Sequence, residues 1–142
     1  MSDVSSRPAR NAFVPISARQ VAVLIGLGAG LWFLAAMILR LVAPMGALDG
    51  AARALTYALV IPGTLPAVWL IWKLPGLRRD QVALGGAIAT ATAALLDGVA
   101  LAWFPDLYAA DVRLVAACGA AILWGAGVGL VLTLLFNRVP GR

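Results

Sequence analysis

The chain of 142 residues contains no histidine and no glutamate, one lysine (Lys73) and one cysteine (Cys118). Without histidine there can be no imidazole haem ligand, no His-based zinc or copper site and no histidine-dependent triad. A lone cysteine excludes an intramolecular disulfide and any Cys-cluster metal site. Serine does not occur after Ser17, so the rest of the chain offers no serine nucleophile. A carboxylate pair for hydrolysis would have to come from Asp97, Asp106 and Asp111, of which the last two flank a loop beside Pro105 where water solvates them. These gaps predict no catalytic residue, no metal, no cofactor and no enzymatic activity.

Charge is scarce as well. Only 12% of residues are charged and 63% are hydrophobic, against about 25% and roughly 45–50% in soluble domains. What fills the chain is four apolar stretches, about 19–42, 55–72, 82–104 and 112–136. Each is close to the ~20 residues that carry a helix across a ~30 Å hydrocarbon core. The first is too long for the apolar region of a signal peptide, about 7–15 residues, and three more follow it, so it reads as a retained span. The expected fold is all-α: an integral membrane four-helix up-down bundle, one domain over 18–138 between polar cytoplasmic tails at 1–17 and 139–142. Turn residues fall between the spans: Pro44 and Gly46, Asp49-Gly50, Pro75-Gly76 and Phe104-Pro105. The loops are short, which predicts that successive helices are antiparallel neighbours. The two outer corners share a loose pattern, Pro44, Asp49, Arg53 against Pro105, Asp111, Arg113.

Basic residues give an orientation. Arg7, Arg10 and Arg19 precede span one, Lys73, Arg78 and Arg79 lie between spans two and three, and Arg138 and Arg142 follow span four. By the positive-inside rule both termini and the central loop face the cytoplasm, in a cell (inner) membrane. The net charge of +5 then reflects orientation and contact with anionic lipid heads. Nothing clusters basic and aromatic residues on one face as a nucleic-acid binder does. The expected partners are the lipid bilayer and other membrane subunits or further copies of the chain. The Ala- and Arg-rich, Lys-poor composition points to a bacterial source.

Small residues recur at every fourth position, the spacing that lets helices approach closely in lipid. Gly26 and Gly30 do so in span one, Gly86, Thr90, Ala94 and Gly98 in span three, and Ala117, Ala121, Gly125 and Gly129 in span four. A second row in span three is Gly85, Ala89 and Ala93. Gly26-Leu-Gly28-Ala-Gly30 is no nucleotide loop, since it lacks the GxGxxG spacing and a preceding strand.

Asp97 lies about seven residues before Phe104, roughly 10 Å inside the outer boundary at 1.5 Å per residue. A carboxylate at that depth is costly and marks a functional or structural site. Two readings follow: a carboxylate that couples proton or cation movement, or a structural lock in which Asp97 pairs with Arg40 or hydrogen-bonds a neighbouring helix. Mid-span two carries Pro62-Gly63 and Pro66, whose missing N–H groups deprive the carbonyls of Ala58 and Pro62 of helical donors. Such oxygens need other partners in a membrane. Trp32 and Trp124 lie mid-span, and at least one indole is expected to donate into this interrupted turn, as a polar lock or the wall of a small cavity. Trp69, Trp72, Trp103 and Tyr108 fall where an interfacial belt belongs and are assigned anchoring alone.

The segment around Leu96 to Tyr108, with Leu-Leu-Asp at its entry (Leu95, Leu96, Asp97) and Phe104-Pro105 at its exit, resembles the third-span exit of small bacterial four-span membrane proteins grouped as a family of unknown function. The resemblance implies no activity. The four-span size also resembles that of small multidrug-resistance transporters, whose essential acid lies in span one, whereas span one here contains no acid. The function expected is therefore that of a non-catalytic multi-pass protein, a packing or accessory subunit of a membrane assembly or a self-associating bundle. The alternative is a minimal oligomeric transporter or channel for a small cation or apolar solute, using Asp97.

Overall fold

The computed structural model describes residues 15–137, so the polar segment 1–14 and the C-terminal 138–142 lie outside the described residues. Secondary structure among the described residues is entirely helical: α1 Ala18–Val42, α2 Gly50–Lys73, α3 Val82–Trp103 and α4 Val112–Phe136. All four are long and apolar enough to cross a membrane. Short 3-10 turns at Ala43–Met45, Arg79–Gln81 and Pro105–Leu107 join or extend them.

Local chemistry sets the ends. Ser17 caps α1 through a capping box: its hydroxyl accepts from the Gln20 N–H, while the Gln20 side chain accepts from the Ser17 N–H. Asp111 caps α4 by accepting from the Arg113 N–H at 2.7 Å. Gly46 and Gly76 take left-handed φ of 80° and 67°, which permits the chain to turn out of α1 and α2. Pro105 keeps Phe104 out of the helical region, ending α3. The second helix begins five residues earlier than the apolar run, at Gly50. It also runs unbroken through Pro62 and Pro66, which corrects the interrupted span expected from the sequence.

Packing is not in chain order. The backbone of Gly28 in α1 faces Ala89 of α3, and Leu24 lies beside Gly85, so α1 and α3 run parallel and in close contact. Gly125 and Gly129 of α4 meet Val60 and Thr64 of α2, a second parallel pair. Gly86 against Thr133 and Gly119 against Leu101 join α3 to α4 in antiparallel fashion. Helices α1 and α2 touch only slightly, whereas the successive pair α3 and α4 packs closely, so the expectation that successive helices are antiparallel neighbours is not met at α1 and α2. The glycines explain this: α1 has its closest approach at Gly28, on the face turned to α3.

Two small apolar clusters form the interior. One gathers Ala36, Ala43, Leu48, Ala100, Tyr108, Cys118 and Ala121, and the other Leu24, Ile71, Leu77 and Ala89. The large side chains mostly point outward instead, among them Leu41, Leu95, Leu123 and Leu135. Side chains tie the loops at both ends. Gln20 donates to the carbonyls of Pro75 and Gly76, and Asn137 accepts from the Ala83 N–H. At the other end Arg53 donates to Leu48 O and Thr56 to Ala47 O.

Candidate functional site

After α3 ends at Phe104-Pro105, the 3-10 turn Pro105–Leu107 folds the chain back and drives Tyr108 into the bundle, where it is fully buried. Its hydroxyl donates a short hydrogen bond to the Asp97 carboxylate. The Trp32 indole N–H of α1 donates to the same phenol oxygen at 3.2 Å. Indole, phenol and carboxylate thus form a directional chain from α1 through the loop between α3 and α4 to α3. The surrounding side chains are small: Ala36, Ala100, Cys118 and Ala121. Burial, and next the Asp97 carboxylate, push the Tyr108 phenol above its usual range. It therefore keeps its proton and remains a donor near neutral pH.

Arg40 does not pair with Asp97. Its guanidinium donates to the carbonyls of Asp106 at 2.8 Å and Leu107 at 3.4 Å. Arg40 follows Trp32 by two helical turns, about 12 Å along α1, which places it level with the loop and beyond the buried carboxylate. The two residues nonetheless hold one segment: Arg40 grips the backbone of the turn, and Asp97 grips the side chain that follows it. Tyr108 is correspondingly not an interfacial anchor. The signal available for it was the need of Asp97 for a donor, together with a proline turn short enough to return the chain to α3. Trp69 and Trp103 are exposed, as a belt requires, while Trp72 carries two cations, with Lys73 Nζ and the Arg79 guanidinium each 3.8 Å from its ring centroid.

Among models of protein families, curated proteins and solved structures, nothing matches this chain. The site must therefore be read from its own geometry.

The expected indole donor to the proline-bearing stretch is Trp124. Its N–H reaches Tyr57 O at 3.0 Å, and its ring stacks on Tyr57 with centroids 5.5 Å apart. The acceptor precedes Ala58 by one residue, so the contact lies beside the carbonyl freed by Pro62 and does not reach it. Thr64 adds a bond to Val60 O at 2.6 Å in the same stretch. Trp32 takes no part there, because it serves Tyr108. Of the packing glycines, Gly86, Gly125 and Gly129 stand at helix contacts, but Gly26, Gly30 and Gly98 face open space, as does Gly63 of the proline-bearing stretch. The most closely packed glycines are Gly85, Gly86 and Gly28, of which only Gly28 was not singled out as a packing residue. Gly28 was passed over because it shares no four-residue spacing with another small residue singled out in span one.

Among the described residues, two concavities are lined by residues other than Asp97, Arg40 and Pro62. One of about 240 Å³ lies among Leu48, Arg53, Tyr57, Ala117 and Ala120. The other, about 420 Å³, lies between the start of α1 and the end of α2. Arg40 bonds to the backbone of Asp106 and Leu107, whereas Asp97 accepts from the Tyr108 hydroxyl.

Proposed function

We propose that the protein is a non-catalytic, multi-pass subunit of the cell (inner) membrane, with both termini cytoplasmic, packing with further copies of itself or with other membrane proteins. The insertion is supported by the inverted distribution of side chains: bulky leucines outside, glycine and alanine at the seams. In water such outward surfaces would be a liability, whereas lipid is their solvent. The observation that carries the functional reading is the closure of Asp97 by Tyr108 and Trp32. A carboxylate that accepts from Tyr108, whose phenol oxygen in turn accepts from Trp32, fastens α1, α3 and the outer loop together. A coupling role would instead favour a carboxylate lining a cavity shared with Arg40 or the Pro62 turn.

The test is gentle extraction of the full chain from its membrane by a C-terminal tag, followed by measurement of particle mass and of the chains that accompany it. A defined homo-oligomer or a stoichiometric membrane partner is expected. A uniform monomer without a partner would overturn the reading.

A further inference from the structure

The cleft of about 420 Å³ is lined by Ser17, Arg19, Gln20 and Val23 from the start of α1 and by Lys73, Leu74, Pro75 and Gly76 from the end of α2. Two cations from separate helices, Arg19 and Lys73, flank it, and its lining among the described residues contains no acid. The floor is built, since Gln20 both closes the α1 capping box and donates to the Pro75 and Gly76 carbonyls. The Lys73 ammonium is seated over Trp72, which the Arg79 guanidinium also approaches. Asp80, in the turn that leads into α3, is engaged by Arg78 at 3.1 Å. Val23 and Leu74 add an apolar margin to this basic mouth.

We infer that this cleft binds the phosphate of an anionic phospholipid from the cytoplasmic leaflet, with Arg19 and Lys73 as its cations and an acyl chain against Val23 and Leu74. The inference rests on the membrane reading proposed above. A free phosphate shares the charge but has no use for the apolar margin, so the lining favours the lipid. Basic recesses between helices on the cytoplasmic side suit such headgroups.

The full chain, placed in vesicles of phosphatidylcholine mixed with phosphatidylglycerol, is released into native mass spectrometry and the retained lipids are counted. Phosphatidylglycerol should be retained preferentially. The double variant Arg19→Gln, Lys73→Gln should lower that retention about thirtyfold, near fivefold per cation, while phosphatidylcholine retention stays constant. Arg113→Gln, at the opposite end, should change nothing. Equal retention of both lipids, or an equal loss with Arg113→Gln, would overturn the inference. Inorganic phosphate that protects the chain from thermal unfolding in neutral detergent as well as the lipid does would assign the cleft to a soluble anion and likewise overturn it. A chain that fails to enter vesicles defeats the membrane reading itself, whereas insertion without lipid preference defeats only this one.

Discussion

Tyr108 and Asp97 each satisfy a group that would be expensive to bury alone. Removing one partner leaves the other short of a hydrogen bond, at a cost of about 1–3 kcal/mol. Tyr108→Phe and Asp97→Ala should each destabilise the bundle by that amount, read from thermal unfolding in detergent. Because they break one interaction, the double variant should cost clearly less than the sum. Strict additivity would mean that the two side chains act independently. Asp97→Asn separates the structural role from a coupling role. An amide accepts from Tyr108 but brings donors that need partners of their own, so a lock predicts a lower amount of protein in the membrane fraction. Normal levels combined with loss of pH-driven solute uptake in proteoliposomes would instead assign Asp97 to transport. Trp124→Phe keeps the ring on Tyr57 and deletes the N–H that reaches its carbonyl, so it should cost about 0.5–1.5 kcal/mol.

The helix faces carry a different kind of information. A Cβ at Gly28 would stand 2.5 Å from the Ala89 carbonyl oxygen, a backbone atom that cannot turn aside. Gly28→Ala should therefore push α1 from α3 and cost about 1–3 kcal/mol, as overpacking does. Two residues earlier, Gly26 meets nothing, and Gly26→Ala should be neutral in the isolated chain or gain up to about 1 kcal/mol from helix propensity. Comparing the two variants by thermal unfolding gives a direct check, and equal effects would discard the α1–α3 seam as described. These glycines also show why helix faces were hard to read from sequence. A span that is apolar all round has no polar face to mark its outside, so the four-residue spacing of Gly26 and Gly30 and the single Gly28 looked unequal in the wrong direction. In α4, Gly125 and Gly129 face α2, a partner that the spacing alone does not name.

At the scale of the molecule, the four helices and most of their ends, the start of α2 excepted, were legible because length, hydropathy and turn chemistry act locally. Ser17, Pro105 and Asp111 each work within a few residues of themselves. The pairing of α1 with α3, and the descent of Tyr108 onto Asp97, depend on segments far apart in the chain, and hydropathy carries no record of them. The proposed orientation lies between these cases, since it is argued from Lys and Arg placement and would be expressed only by the whole bundle. Native Cys118 is fully buried, so the unaltered chain should resist a membrane-impermeant thiol reagent. That leaves single introduced cysteines as clean reporters. Arg113 at the start of α4 and Arg79 beside α3 are both exposed and lie at opposite ends of the helices. With both termini cytoplasmic, Arg113→Cys should be labelled in intact cells, and Arg79→Cys only after the membrane is opened. The reverse pattern would invert the topology, and labelling of both in intact cells would mean that no membrane separates the two ends of this bundle.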